Sequence, residues 1–242
     1  MAVKIRGKRY KESAKLVPAT SVTIEKAIPV LKQFKKTKFD ETVNMVVHLG
    51  IDAKQADQMV RGAVSLPKGI GRTNKVIAFV QGNNVDIAMA AGALEAGADE
   101  LVAKVNGGWS DFDVAIATPD MMPKIARLGK VLGPQGKMPS PKAGTVTTDV
   151  ATAIKEYTAG KVEFRNDTGG NIHVPVGKLS FSEADLAANV HAMIEHLRKT
   201  KPSAAKGVYF KRITLHSSMS PGIQIDVEHL AAMHAEMEEN EK

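Results

Sequence analysis

Residues 76–97 read VIAFVQGNNVDIAMAAGALEAG, and this stretch decides the fold class of the middle of the chain. The five apolar residues 76–80 form an uninterrupted run, which is typical of a strand covered on both faces. The alanine-rich pattern of residues 85–96, closed by a glycine, predicts a helix. A second apolar run at 114–117 ends at a Thr-Pro pair and leads into another helical pattern. Strand, helix, strand and helix in such short units predict a small parallel sheet with flanking helices.

The sequence on either side of this middle part has a different pattern. Residues 42–49 alternate between apolar and polar side chains, which predicts a strand with one buried face. A short strand is also predicted at 60–66, ending at a Pro-Lys-Gly break. Alternating stretches return at 161–164 and 171–176, and Ser182 then begins a long helical pattern. The two flanks are therefore predicted to share one type of half-exposed structure.

The alternating pattern that both ends of the chain share predicts how the chain is divided into domains. We expect a discontinuous domain made from residues 1–68 and 160–242, with residues 69–159 inserted as a second domain. Two domains in simple succession remain an equal alternative on the pattern alone. The acidic stretch 227–242 is predicted to be a frayed helix or a tail.

Charge is strongly segregated along the chain. The net charge is +7, but residues 1–38 hold eleven Lys or Arg against two Glu, whereas residues 226–242 hold six carboxylates against one Lys. A basic arm on a nearly neutral body favours a polyanionic partner, because phosphate contacts release counterions. There is no cysteine and no long uncharged apolar run, so disulfides and a membrane-spanning helix are not expected. The chain is predicted to be cytoplasmic.

Enzyme chemistry finds little support in the sequence. The glycines after residue 80 lack the dinucleotide spacing, and Gly133 and Gly136 are too close for a P-loop, which also needs Ser or Thr where Met138 stands. No two of the seven histidines are three or four residues apart, so no helical metal pair is predicted. Asp111 and Asp113 flank Phe112 close to Gly107 and Gly108, and carboxylates next to glycines more often cap turns than catalyse. A nucleotide-dependent enzyme remains the alternative that the parallel-sheet pattern suggests, and an interaction module acting through the acidic tail is a further one.

Three segments are candidates for contact with a folded RNA. Few aromatic residues argue against stacking of successive bases, and favour recognition by shape, phosphate and ribose contacts. The candidates are the cluster Lys35, Lys36, Lys38 and Phe39, the segment Arg165-Asn166-Asp167, and the segment Ser217-Ser218-Met219-Ser220. Each also has a simpler interpretation: a solvated charge run, an Asx-capped turn, and a loop after a strand.

Several motifs in fixed order resemble the large-subunit ribosomal protein L-one family, from about Lys8 to Gly222. The motifs are KFDET (38–42), LGID (49–52), VRG (60–62), LPKG (66–69), FD (112–113), ATPD (117–120), LGPQGKMP (132–139), FRND (164–167) and KGVY (206–209). The resemblance implies an α/β protein of two domains, with a discontinuous α+β domain built from both chain ends and an inserted Rossmann-like parallel-sheet domain. It therefore favours the inserted arrangement over sequential domains.

The resemblance also implies a function without catalysis or a cofactor. It implies a cytoplasmic protein of the ribosome that binds large-subunit (23S) ribosomal RNA, forms the mobile stalk near the tRNA exit site, assists release of deacylated E-site tRNA, and represses its own operon mRNA. No membrane partner is implied, and the free protein is expected to be a monomer. Carried over residue by residue, the RNA-binding residues are Lys36, Lys38, Phe39, Thr42, Arg165, Asp167, Ser218, Met219 and Ser220.

The chain departs from the family pattern at four positions. Ser218-Met219-Ser220 stands where the family commonly has Thr-Met-Gly. Thr168 replaces a common lysine, and Ser140 replaces a common asparagine. Serine in place of glycine at 220 is expected to restrict a close approach of backbone to RNA.

Overall fold

The structure is a computed structural model in which residues 7–227 are described. Eight α-helices are described: α1 (Lys8–Lys15), α2 (Ile24–Gln33), α3 (Asn84–Ala90), α4 (Asp99–Asn106), α5 (Met122–Ile125), α6 (Gly129–Leu132), α7 (Val150–Ala159) and α8 (Glu183–Lys199). Nine strands are described: β1 (Thr42–Leu49), β2 (Arg61–Ser65), β3 (Val76–Phe79), β4 (Glu95–Gly97), β5 (Val114–Ala117), β6 (Lys161–Arg165), β7 (Asn171–Lys178), β8 (Phe210–Ser217) and β9 (Ile223–Ile225). The predicted acidic tail, 227–242, lies outside the described residues from residue 228 onward. Residues 1–6 of the basic arm also lie outside them.

Contacts divide the chain into two compact units. The first, which we call the end unit, contains the chain up to Val60, Leu66–Gly71, and the chain from Phe164 onward. The second, which we call the middle unit, contains Arg61–Ser65 and Arg72–Glu163. Strand β2 belongs to the middle unit, although the residues on both sides of it belong to the end unit. The domain limits 1–68, 69–159 and 160–242 stay a prediction.

The end unit is built on a four-stranded antiparallel sheet in the order β7-β1-β8-β9. Met45 in β1 lies opposite Val174 of β7 on one side and Leu215 of β8 on the other, so buried side chains line up across the strands. Helices α2 and α8 pack against each other and against strands of this sheet. The half-buried strand predicted at 42–49 is confirmed: its burial alternates residue by residue. The other face of β1 carries the partly exposed residues.

Local signals account for α8, and burial accounts for α2. The Ser182 hydroxyl accepts a hydrogen bond from the Asp185 N–H and caps α8, which has carboxylates in its first turn and basic residues in its last. This arrangement satisfies an end N–H and complements the helix dipole. Pro29 lies inside α2, yet the helix continues from Ile24 to Gln33. The apolar face of α2, with Ile24, Ile28 and Leu31 fully buried, stabilises it despite the proline.

The middle unit is built on a three-stranded parallel sheet in the order β4-β3-β5. All four residues of β3 are buried, as the apolar run predicted. Ile77 and Phe79 face a core that includes Leu101 of α4, whereas Val76 and Ala78 face a core that includes Ile154 of α7. Helices therefore cover both faces, and the prediction of an α/β fold with a parallel sheet is confirmed.

The helix predicted at 85–96 was wrong in its second half. Helix α3 ends at Ala90, and residues Glu95–Gly97 form the strand β4, parallel to β3. Gly92 has a φ of 100°, a left-handed conformation that ends the helix, and the Leu94 N–H then donates to the Val76 carbonyl at 2.7 Å. The alanine-rich composition of this stretch favours a helix throughout, so the sequence pattern did not predict the change from helix to edge strand. Residues 129–144, which are rich in Gly, Pro and Lys, contain α6 and a 3-10 turn at Pro141–Ala143.

Within residues 7–227, no helix combines the length and the apolarity that a bilayer crossing requires.

Candidate RNA interface

Thr42 and Ser218 are brought together where β1 begins and β8 ends. The Ser218 N–H donates to the Thr42 carbonyl at 3.1 Å, and the Thr42 N–H donates to Ser218 Oγ at 3.3 Å. The Lys178 ammonium, on the neighbouring β7, donates to Thr42 Oγ1 at 2.9 Å. One polar corner of the sheet therefore holds both predicted hydroxyls and a lysine that the sequence did not single out.

A buried carboxylate, Glu41, holds the adjacent turn in place. Its side chain is only 3% exposed; it accepts a hydrogen bond from the Ser217 hydroxyl and another from the Met219 N–H, the latter at 3.1 Å. Burial opposes ionisation, but the hydrogen bonds from Ser217, Met219 and Thr37, together with the charge of Arg9, outweigh it and lower the pKa of Glu41. An ionised, buried acceptor of this kind fixes the turn that carries Met219.

Ser220 closes this turn from the other side. The Ser217 N–H donates to Ser220 Oγ at 2.9 Å, and the Ser220 N–H donates to the Ser217 carbonyl at 3.2 Å. No non-glycine residue in the described part of the chain has a positive φ, so serine adopts this position without backbone strain. The serine that departs from the family pattern thus acts as a cap of the turn.

Phe39 and Met219 are exposed apolar side chains that each lie near Glu41, Phe39 through a shared cavity and Met219 through its N–H group. Their exposed fractions are 56% and 52%. Phe39, Lys36 and Glu41 line one cavity of about 280 Å³. Lys38 is exposed beside Phe39 in the chain. Exposed apolar groups beside lysines form a surface that can pack on sugar and meet phosphate. We call this surface, made of Lys36, Lys38, Phe39, Thr42 and residues 218–220, the loop corner.

Arg165 and Asp167 lie elsewhere, in the hairpin between β6 and β7. The Asp167 carboxylate accepts hydrogen bonds from the N–H groups of Gly169 and Asn171, both at 2.8 Å, and from the Asn171 amide. The backbone N–H of Asn171 contributes most to lowering the pKa of Asp167, followed by the Asn171 side chain. Asp167 therefore organises the turn, while Arg165 is exposed at the end of β6.

The structure separates the predicted residues into two groups at opposite ends of β1. Thr42 pairs with Lys178 at one end, and His48 pairs with Asn171 at the other. His48 follows Thr42 by six positions, which corresponds to about 20 Å of strand. The loop corner and the Arg165 hairpin are thus two separate candidate zones near the two ends of β1.

The open face of the sheet connects these zones, and the sequence interpretation missed it. A cavity of about 390 Å³ on this face is lined by Val46, His48, Asn171, Lys211, Arg212 and Thr214. Nδ1 of His48 lies 2.8 Å from Oδ1 of Asn171. Since an amide oxygen only accepts, the ring donates from Nδ1 in this contact. The polar residues of the alternating strands, which point away from the core, are the sequence signal that could have identified this face.

Electrostatics of the sheet favour an anionic ligand. The four strands β7, β1, β8 and β9 contain no Asp or Glu, and they contain Lys178, Lys211 and Arg212. His48, His173 and His216 add polar rings on the same strands. A surface of one sign attracts a polyanion and concentrates it near the contact groups.

A metal-binding cluster is not found in the described part of the chain. Among residues 7–227 no group of three or more His, Asp or Glu side chains is placed to hold a metal ion. Asp111 is fully exposed and paired with Lys75 at 2.8 Å, and this ion pair lowers the pKa of Asp111. This carboxylate belongs to a surface ion pair.

Comparison with known proteins gives one consistent result. Residues 31–221 match the model of the "Ribosomal protein L1p/L10e family". The chain is also 51% identical over 222 residues to the large ribosomal subunit protein uL1 of Kosmotoga olearia, which covers 91% of this chain and 96% of that protein. The family model covers both the loop corner up to Ser220 and the whole middle unit. The chain therefore belongs to the ribosomal protein L1p/L10e family, and is a structural, non-enzymatic protein of the cytoplasmic ribosome that binds ribosomal RNA.

Proposed function

We propose that this chain binds a folded element of the large-subunit ribosomal RNA through the loop corner, the open sheet face and the Arg165 hairpin. The observation that carries the proposal is the turn fixed by the buried Glu41, which presents the exposed Met219 beside a surface with the exposed Phe39. Buried charge is costly unless it is hydrogen-bonded, and here it is satisfied by the turn itself. Such a rigid turn lowers the ordering cost of binding.

Each zone supplies a different contact to the RNA. Lys36 and Lys38 meet phosphates at the loop corner, and Phe39 and Met219 pack on ribose or backbone. Thr42 keeps its hydroxyl proton for an RNA oxygen, because Lys178 uses its oxygen as acceptor. At the far end, Arg165 meets phosphate, while Asp167 acts by shaping the hairpin. Zones about 20 Å apart suit recognition of an RNA by its contour.

The same interface supports the finer functions. We infer that the protein forms the mobile stalk near the tRNA exit site and assists release of deacylated E-site tRNA. A shape-reading surface also accepts any RNA with the same contour, so repression of the protein's own operon mRNA follows from a messenger element that resembles the ribosomal one. The free protein acts in this as a monomer.

A gel-shift titration against a stalk-RNA fragment tests the interface. Phe39→Ala and Met219→Ala are each expected to weaken binding, because they remove exposed apolar contacts and leave the fold intact. Ile87→Ala is the matched control, since Ile87 is 45% exposed and lies in the middle unit. Unchanged affinity after Phe39, Thr42 and Met219 are altered together contradicts the interface, and so does equal affinity for an unrelated duplex of the same length.

Separate measurements test the finer functions. A fragment of the operon mRNA is expected to compete with stalk RNA, and Met219→Ala is expected to weaken both. Ribosomes reconstituted without the protein are expected to release deacylated tRNA more slowly than complete ones. An mRNA fragment that does not compete refutes the repression mechanism and leaves the ribosomal RNA interface standing.

A further inference from the structure

The middle unit contains a region whose charge is opposite to that of the chain. Residues 76–103 hold no Lys or Arg and four carboxylates, Asp86, Glu95, Asp99 and Glu100, whereas the whole chain has 33 Lys and Arg. This stretch forms β3, α3, β4 and the start of α4. Glu95 and Asp99 form ion pairs with Lys104 and Lys124, so the negative charge that remains on this surface comes from Asp86 and Glu100. That remaining charge makes the surface less favourable for phosphates than the end unit is.

A groove lies in this region between the strand β4 and the helix α4. Its volume is about 330 Å³, and its apolar lining comes from Met89, Ala96 and Leu101. Met89 is 49% exposed, so a large apolar side chain stands open to a ligand. Glu95 and Glu100 supply carboxylates to the same groove.

Lys104 also lines the groove, and the Glu100 carboxylate stays available to a ligand. The Lys104 ammonium pairs with Glu95 and lies 4.2 Å from the centroid of the Trp109 ring, two contacts that hold it in place. Within residues 7–227 the structure shows no hydrogen bond or ion pair to the Glu100 side chain, which is exposed. An apolar lining next to an available carboxylate matches the aliphatic stem and charged head of lysine or arginine.

The groove also runs along an unpaired sheet edge. Strand β4 pairs with β3 on one side and, in the described part of the chain, has no strand on the other. All three β4 residues line the groove. An exposed edge offers backbone N–H and C=O groups to an added strand, which is a common way to bind an extended peptide.

We propose that this groove binds an extended segment of another protein that carries lysine or arginine side chains. The segment adds to the edge of β4, its cationic head pairs with Glu100, and its aliphatic stem packs on Met89 and Leu101. Complementary charge selects a basic protein and disfavours RNA. The middle unit then serves as a protein-docking unit, independently of the RNA interface.

Methyl NMR on the full chain labelled at methionine tests the proposal. Met89 reports on the groove and Met219 on the loop corner, and each signal is assigned with a Met→Leu variant. A synthetic peptide of alternating Lys and Thr is expected to shift the Met89 signal and leave Met219 in place. The stalk-RNA fragment is expected to shift Met219 and leave Met89 in place.

Charge variants separate a specific site from general attraction. Glu100→Lys is expected to abolish the Met89 shift, and Asp120→Lys, an exposed carboxylate of the same unit outside the groove, is expected to preserve it. The proposal is overturned if millimolar peptide leaves Met89 unmoved, if Glu100→Lys retains the shift, or if RNA moves Met89 as strongly as Met219. A Met219 signal that ignores RNA counts against the RNA interface alone.

Discussion

The two main sheets of this protein differ in how many of their faces are covered. In the end unit, α2 and α8 lie on one side of the antiparallel sheet, and alternate residues of β1 remain partly exposed. In the middle unit, every residue of β3 is buried, because helices pack on both faces of the parallel sheet. A half-covered sheet keeps a whole face for a ligand, whereas a fully covered sheet can offer only its edges and grooves.

This difference is consistent with the two proposals. The open face carries basic and polar side chains without any carboxylate in its four strands, as the proposed RNA interface requires. The covered sheet leaves the edge of β4 and the groove beside it, where Glu100 is the carboxylate proposed to meet a basic protein segment.

The largest expected effect comes from the covered sheet. Ile77→Ala and Ile116→Ala remove side chains that are fully buried on opposite faces, so each is expected to lower the free energy of unfolding by about 2–5 kcal/mol. Urea denaturation followed by the fluorescence of Trp109, the single tryptophan, reports on this unit. A loss below about 1 kcal/mol for either variant would mean that one face of the sheet is open after all.

Neighbouring residues of β1 are expected to behave unequally. Met45 is fully buried, so Met45→Ala is expected to cost about 2–5 kcal/mol, whereas the outward Val46→Ala is expected to cost less than about 1 kcal/mol. Far-UV circular dichroism during urea denaturation measures both. Equal losses for the two variants would remove the contrast between the sheets.

Glu41→Gln is expected to have a smaller and pH-dependent effect. The carboxylate accepts hydrogen bonds from Ser217 and Met219, so its loss is expected to cost about 1.5–3 kcal/mol at neutral pH. Because the folded-state pKa is lowered, this stabilisation is present above the unfolded value of about 4.3 and is lost as pH falls through the folded pKa. Urea denaturation at several pH values should show the gap between wild type and variant closing with acid. A gap that stays constant excludes ionised Glu41 as the cause.

The smallest expected effect on stability belongs to the loop-corner lysines. Lys36→Ala or Lys38→Ala is expected to change the free energy of unfolding by less than about 0.5 kcal/mol, since both side chains are exposed. Each variant is expected to flatten the salt dependence of RNA binding by about one unit of slope. The exposed Lys155 of the middle unit gives the matched control, Lys155→Ala. An unchanged slope in both variants places these lysines outside the phosphate contacts.

Local patterns predicted most of the strands and the start of the long helix α8. The alternation at 42–49, the apolar runs of β3 and β5, and the Ser182 cap each depend on neighbouring residues alone. The strand β4 was missed because its alanine-rich sequence is compatible with a helix, and only its pairing with β3 selects the extended form. Tertiary pairing overrode a local propensity there.

The candidate site was predicted in its parts rather than in its arrangement. The segments with Phe39, Arg165 and Met219 were identified from the sequence as candidates for RNA contact. Glu41 appeared there only as part of the KFDET motif, with no role assigned to it. Glu41 holds the turn because it is buried and accepts hydrogen bonds from the Ser217 hydroxyl and the Met219 N–H. The open-face cavity with His48 and Arg212 was also missed, because its lining comes from three strands.

By itself, the sequence determined which residues of β1 face inward, where the long helix starts, and which family the motifs resemble. These properties follow from side-chain chemistry within a few neighbouring positions. Only the tertiary structure decided that Glu41 meets Ser217 across 176 positions, and that Asp167 lies with Asn171 near the opposite end of β1. The physical reason is long-range strand pairing: β1 pairs with β7 and β8, which follow it by more than 100 residues, so the packing of the whole sheet selects these partners.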